Sequence, residues 1–184
     1  MTKAMQTLRD MLGGAGSSYW LRDARVPLAL IEDATARPVD AEGLVRIDLQ
    51  VMDGRIAAIA PAGTATEGPS LEGGQIWPGL IDGHTHIDKG HIWPRMPNPD
   101  GTFGGAIGAV MADRGANWSV EDMRMRAGFA LRAAYAHGTV ALRTHLDSYM
   151  PHAPNAWKMF RALRDEWAGR ITLQASSIAP LDRF

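Results

Sequence analysis

Hydrophobic and polar residues alternate with a period of two along the first third of the chain. The clearest case is Val45 to Val51, where the alternation is typical of a half-buried strand. Asp53-Gly54 follows as a hairpin turn signal, and Arg55 to Ile59 is predicted as the returning strand. Two more short strands are predicted at residues 19–22 and 26–30.

The pattern changes after a linker rich in glycine, proline and threonine that covers residues 61–74. Strands are predicted at residues 75–81, 139–145 and 171–175. Helices are predicted from the N-cap Ser119 to His137 and from Asn155 to Gly169. Residues 91–117, with five glycines and three prolines, are predicted as a long loop. Strands that alternate with helices indicate parallel βαβ units, so we predict an α/β fold with a domain boundary between residues 1–74 and 75–184.

Composition narrows the class of protein. The 184 residues are 46 % hydrophobic, which allows a globular core, and the net charge is −1. Without a basic run, nucleic-acid binding is not expected, and the absence of cysteine excludes disulfides and thiolate metal sites. Residues 1–12 are predicted as a short amphipathic helix and lack the apolar run of a signal peptide. No apolar stretch approaches the roughly 18 residues of a membrane span. We therefore expect a cytoplasmic protein without a membrane partner.

His84-Thr85-His86 is the motif that carries chemistry. It follows a short apolar stretch, and residues i and i+2 of an extended strand point to the same face. Both imidazoles can therefore aim at one divalent metal ion, and imidazole suits zinc and iron. The alternative is that the two histidines only cap a strand end through hydrogen bonds.

The residues around this motif resemble a known family. Residues 78–89, PGLIDGHTHIDK, resemble the first metal-binding motif of the amidohydrolase superfamily, and residues 87–89 look like the cytosine deaminase and N-isopropylammelide hydrolase branch. Residues 137–147, with Arg-Thr-His-x-Asp, resemble the second barrel strand of that branch, and residues 171–174 resemble the strand with its substrate-reading glutamine. Residues 45–59 look like the small β-sandwich that precedes the barrel.

The resemblance implies a partial (β/α)8 TIM-type barrel. Its first three strands would lie in residues 75–184, preceded by part of the β-sandwich in residues 1–74. The family barrel continues with further histidines, a catalytic glutamate and an aspartate that have no counterpart here, so we expect the N-terminal part of a larger enzyme. We also expect a homo-oligomer or a complementing C-terminal chain, because the third strand would present an unpaired edge.

The resemblance also implies a metal-dependent hydrolase that cleaves an exocyclic C–N bond of a pyrimidine or triazine ring through a metal-activated water. His84 and His86 would hold one divalent metal, zinc or iron. His145 would line the pocket, and the amide of Gln174, which has a donor and an acceptor, would read the amide-like edge of a cytosine-like base or triazine. Asp147 would orient a ligand. No catalytic residue is assignable in this chain.

Alternative interpretations exist for these residues and for the chain. Arg143 could pair with a carboxylate at a polar strand end, and Gln174 could be a satisfied core amide. The chain could also be a non-catalytic barrel fragment that acts only in a larger assembly, or part of a hydrolase for another cyclic amide.

Overall fold

The computed structural model describes residues 18–32 and 38–179. The chain divides into two compact units, Met1–Pro78 and Gly79–Phe184. Within the described residues, each unit contains one three-stranded sheet and the three α-helices belong to the second, so the fold is mixed α/β. The helix predicted for residues 1–12 lies outside the described residues.

The first unit is an antiparallel sheet in the order β1-β2-β3, with β1 at Ser18–Pro27, β2 at Leu44–Met52 and β3 at Arg55–Pro61. The predicted hairpin is confirmed. Asp53 and Gly54 both have positive φ, 50° and 73°, as a tight two-residue turn requires.

Two predictions in this unit need correction. Residues 19–27 belong to the single strand β1, which a bulge between Leu21 and Ala24 interrupts, and Leu28–Leu30 is a 3-10 turn. The turn forms because Ile31 donates its N–H to the carbonyl of Leu28. The linker is also more ordered than its composition suggests: its end runs parallel to β1, with bridges from Arg22 to Ser70 and from Arg25 to Gln75.

The second unit is a parallel sheet in the order β4-β5-β6 with helices between the strands. Its strands are β4 at Leu80–Thr85, β5 at Thr139–Asp147 and β6 at Thr172–Ile178. Its helices are α1 at Phe103–Asn117, α2 at Val120–Ala136 and α3 at Ala153–Glu166. The predicted strand at 75–81 therefore begins later, because Gln75 pairs with β1 and Pro78 lacks an N–H for a ladder.

The loop predicted for residues 91–117 is wrong in its second half, which is α1. Glycine lowers helix propensity, but a cap and burial compensate here. Thr102 accepts a hydrogen bond from the backbone N–H of Gly105 at 2.9 Å, and Ala109 and Asp113 are buried. Helix α2 begins as predicted, since the Ser119 side chain accepts from the N–H of Asp122 at 3.1 Å.

Helices α2 and α3 cover one face of the parallel sheet. Leu142, Leu146 and Leu173 are buried under α2 and α3, whose apolar sides form one core with them. On α3, the predicted apolar positions are all buried: Ala156, Phe160, Leu163 and the following Trp167. The opposite face is uncovered by the described residues; Ile81, for example, is 76 % exposed. No helix in the described ranges is long and apolar enough to cross a bilayer.

A buried carboxylate ties the loop before α1 to the helices. Asp113 is fully buried and accepts two hydrogen bonds from Arg95, at 2.7 and 2.8 Å, and one each from Trp118 and Asn117. Burial alone would raise the pKa of Asp113, but the bonds from Arg95, Trp118 and Asn117 outweigh it and hold that pKa below its usual value.

We expect Asp113→Asn to lower the free energy of unfolding at pH 7 by about 1–3 kcal/mol, since it weakens charge-assisted bonds to a buried group. Because the folded pKa of Asp113 is lowered, its stabilisation is present above about pH 4 and is lost as the pH falls through that folded pKa. The variant should therefore lose less stability than the parent on acidification. Urea titrations from pH 7 to pH 3 test this, with the exposed Asp165→Asn as the control. An equal acid-induced loss in parent and Asp113→Asn would contradict the assignment.

Candidate active site

Three histidines meet at the carboxyl ends of β4 and β5. His84 lies on β4, His86 directly follows it, and His145 is near the end of β5. The ring centroids are 5.3 Å apart for His84 and His86, 4.1 Å for His84 and His145, and 5.7 Å for His86 and His145. Parallel strands place their carboxyl ends at one edge of the sheet, which is where functional sites of α/β folds lie.

The backbone of β5 fixes the ring of His86. Its Nδ1 lies 2.9 Å from the carbonyl oxygen of His145. A carbonyl can only accept, so Nδ1 carries the proton and donates it. Nε2 of His86 then holds the lone pair and is free to bind a metal ion. This arrangement, in which one ring nitrogen donates to the backbone, is typical of metal-binding histidines.

The ring of His84 is stacked on that of His145, with an angle of 25° between the planes. His84 is exposed, whereas His145 is half-buried. Nδ1 of His145 is buried and has no hydrogen-bond partner among the described residues. The stacking fixes the plane of the His84 ring. It also places the His145 ring beside the pair His84 and His86.

The pair His84 and His86 fits two positions of a metal site. With metal–nitrogen bonds of about 2.1 Å and a tetrahedral angle, two imidazoles on one ion have ring centroids about 5 Å apart. The observed 5.3 Å agrees with that separation. Within the described ranges, however, no group of three or more His, Cys, Asp or Glu side chains could hold a metal ion. The described residues therefore offer part of a ligand set, since catalytic zinc sites usually have three protein ligands.

A network of charges lies beside the histidines. Asp147, which is 4 % exposed, accepts from Nζ of Lys89 at 2.9 Å through one oxygen and pairs with Arg114 through the other. The guanidinium of Arg114 lies over the rings of Trp118 and Tyr149, at 5.1 and 4.6 Å from the centroids. Through these two ion pairs, Asp147 at the end of β5 connects α1 with the segment that follows β4.

Asp88 closes the same network from the other side. It is fully buried, and its Oδ2 accepts from the backbone N–H of Asp147 at 2.8 Å. Its Oδ1 has no partner in the described part of the chain. Burial is the main reason that the pKa of Asp88 is raised above its usual value.

Gln174 lies on β6 directly beside Arg143 of β5. Its side-chain oxygen accepts from Nη2 of Arg143 at 2.8 Å and from Nε at 3.2 Å. Since arginine offers only donors, the amide oxygen must face it. Both side chains are exposed, so within the described residues Gln174 is not a core amide and Arg143 is paired with an amide in place of a carboxylate.

Arg114 and Asp113 are not predicted as site residues from the sequence, because the glycines and prolines of their segment indicate a loop. Two signals in the sequence indicate α1: the N-cap Thr102, and the four-residue spacing of the apolar Ala106 and Val110. Arg126 lies on a predicted helix, but no local pattern indicates that it reaches the loop after His86.

The chain is similar to known proteins in sequence and in structure. No protein-family profile matches the chain. A curated pterin deaminase from Rhizobium rhizogenes strain K84 is 47 % identical over 167 residues, which cover 89 % of this chain and 38 % of that protein.

Solved structures give a similar result. The 5-methylcytosine deaminase of Klebsiella pneumoniae, liganded with 5-fluorocytosine, is 25 % identical with a TM-score of 0.64 over 85 % of this chain and 35 % of that one. N-isopropylammelide isopropylaminohydrolase of Burkholderia multivorans is 24 % identical with a TM-score of 0.62, over 89 % of this chain and 38 % of that one. The chain thus spans less than two fifths of the length of each of these proteins.

We expect Asp147→Ala to lower the free energy of unfolding by about 3–5 kcal/mol, because it leaves Lys89 and Arg114 as facing cations without their shared acceptor. Urea unfolding at pH 7 measures the loss. Glu166→Ala is the matched control, since Glu166 pairs with Arg124 at an exposed position. A loss for Asp147→Ala no larger than that of the control would show that the network contributes little.

Proposed function

We propose that this chain belongs to the deaminase-like group of the amidohydrolase superfamily. The protein would then be a metal-dependent hydrolase that removes an exocyclic amino group from a nitrogen heterocycle. The observation that carries the proposal is the pair His84 and His86 at the carboxyl ends of parallel strands, with the free Nε2 of His86. The 47 % identity to a pterin deaminase supports the reaction class.

We assign the second unit to the first three strands of a (β/α)8 barrel. Three parallel strands in sequence order, with helices on one face, support this assignment. Residues 75–184 would form this part, and residues 1–74 part of the preceding β-sandwich. In that barrel the face bearing His84, Arg143 and Gln174 is the interior. The edge of β6 has no strand partner among the described residues, which supports a complementing chain segment or an oligomer.

His84 and His86 supply two imidazole ligands, which suit zinc or iron. A bound divalent ion would lower the pKa of a water molecule to about 7 and so provide a nucleophile at neutral pH. The carbonyl of His145 holds the proton of His86 at Nδ1, and the ring of His145 supports that of His84. These contacts keep both ligands oriented before any ion binds.

Chemistry that the named relatives' substrates share supports a proposal for the substrate class. Pterin and 5-methylcytosine both carry an amino group on a ring carbon next to a ring nitrogen, within a pyrimidine ring. We propose an aminopyrimidine or triazine, either as a single ring of the cytosine type or fused as in a pterin. The higher sequence identity favours the fused ring.

Arg143 and Gln174 define how such a ring would be recognised. Because the oxygen of Gln174 is bonded to Arg143, the pair offers only N–H donors to the open face. This differs from the donor–acceptor edge expected from the sequence. The matching ligand edge has two acceptors, such as a ring carbonyl and a neighbouring ring nitrogen.

The second candidate is that the chain is non-catalytic and acts only within a larger assembly. The incomplete ligand set among the described residues is the observation that favours it. Metal content and ammonia release by the protein that contains this chain decide between the two.

We expect the double variant His84→Ala, His86→Ala to lose its bound zinc or iron, because both imidazoles are removed. Elemental analysis after dialysis measures metal per protein. His137→Ala is the control, since His137 ends α2 and contacts Ala133. Unchanged metal content in the double variant would refute the metal assignment.

We expect Gln174→Ala to lower kcat/KM for deamination by roughly five- to over a hundred-fold, since one lost bond to a buried substrate group costs about 1–3 kcal/mol. Gln174→Glu should be impaired as well, because a carboxylate pairs with Arg143 but offers no donor. Metal content should stay intact in both variants.

Ammonia release from cytosine and from pterin provides the measurement for these variants. Thr172→Ala is the matched control, because Thr172 is exposed two residues away on the same face of β6. Parent-like kinetics of Gln174→Ala on the preferred substrate would show that Gln174 does not contact the substrate.

A further inference from the structure

The four residues that follow the histidine pair, Ile87 to Gly90, are hydrogen-bonded to β5 and to α2. The N–H of Ile87 donates to the hydroxyl of the buried Thr144 at 3.1 Å, and the carboxylate of Asp88 accepts from the N–H of Asp147 at 2.8 Å. These two bonds attach the segment to β5. Two of its carbonyl groups accept hydrogen bonds from a side chain of α2.

That contact comes from Arg126 of α2, which is 5 % exposed. Its Nη1 donates to the carbonyl of Asp88 at 2.5 Å and to that of Gly90 at 3.0 Å. Its Nε donates to the carboxylate of Asp122 at 2.9 Å, and its guanidinium lies 5.2 Å from the ring centroid of Trp118. A buried cation thus joins two backbone carbonyls beyond the metal motif.

Asp122 holds the guanidinium of Arg126 in place. It lies in the first turn of α2 and also accepts two bonds from Arg95, at 2.5 and 3.0 Å. The bonds from Arg95 are the main reason that the pKa of Asp122 lies below its usual value, so its carboxylate stays ionised. Arg95 in turn is held by the buried Asp113. The series Asp113, Arg95, Asp122 and Arg126 therefore runs from α1 to the segment after His86.

We propose that Arg126 is a positioning residue for the metal site: it fixes the carbonyls of Asp88 and Gly90 so that His86 keeps its Nδ1–H bond to β5 and its Nε2 toward the ion. The inference rests on the proposed function for its metal, but the geometry of His86 can be measured without one. The planar guanidinium is suited to this task, because it reaches two carbonyls and a carboxylate at once.

A lysine at this position offers a point charge on a flexible stem, so it cannot reproduce all of these bonds. We therefore expect a graded series. The zinc affinity of Arg126→Lys should be weaker than that of the parent, and the affinity of Arg126→Met weaker still. Loss of a group that orients a metal ligand typically lowers metal affinity by about 10- to 100-fold.

Two measurements on the protein test the proposal. Competition titration with a chromophoric chelator gives the zinc dissociation constant of each variant. In the zinc-free protein, 15N NMR of the His86 ring reports whether Nδ1 or Nε2 carries the proton. Arg124→Gln is the matched control, because Arg124 lies on the same helix and pairs with Glu166 at an exposed position. If Arg126→Met does not fold, Arg126→Lys alone carries the comparison.

The outcomes separate the two claims. A weaker zinc affinity together with a mixed His86 tautomer in the Arg126 variants, but not in Arg124→Gln, supports the proposal. A folded Arg126 variant with parental zinc affinity and a parental tautomer overturns it. If the parent binds no zinc, the metal assignment fails, and the tautomer of His86 alone then decides the role of Arg126.

Discussion

The parallel pairing of β4 with β5 is the constraint on which the candidate site depends. His86 and His145 are 59 residues apart in sequence, and only this pairing brings the ring of one against the carbonyl of the other. The register shifts between Asp82 and Thr85, so that Thr85 lies beside Thr144. His86 therefore follows the last paired residue of the ladder, and its ring reaches the carbonyl of His145 on β5. The site is thus a consequence of strand register.

The two faces of the parallel sheet explain why polar side chains collect near this edge. On one face, Leu142 and Leu146 alternate with the residues that face the other way, and they are sealed under α2 and α3. The other face presents Arg143, His145 and Gln174 from two adjacent strands. Since residues i and i+2 of a strand share a face, Arg143 and His145 must lie in one line. The same alternation that builds the core therefore aligns the polar groups.

Local patterns in the sequence were enough for the elements that have strong local signals. The hairpin at Asp53-Gly54 and the capped helix after Ser119 follow from turn and cap chemistry that acts within a few residues. The pairing of His84 with His86 also follows from spacing along one segment. Helix α1 has a local signal in its cap Thr102, but its glycines favour a loop. A tertiary contact also stabilises it: the buried Asp113 accepts from Arg95, which no periodicity connects to it.

Burying charged side chains without hydrogen-bond donors around them would strongly destabilise the folded state. Asp88 and Asp147 are both buried, and two carboxylates this close to each other raise the free energy of the folded state unless donors surround them. Lys89, Arg114 and the backbone N–H of Asp147 supply those donors. An apolar core of the same volume would often be as stable. What the charged arrangement adds is direction, because the bonds of Asp88 and Lys89 to Asp147 each fix a particular atom of the segment that follows His86. The network is therefore better explained by the order it gives to that segment than by a gain in stability.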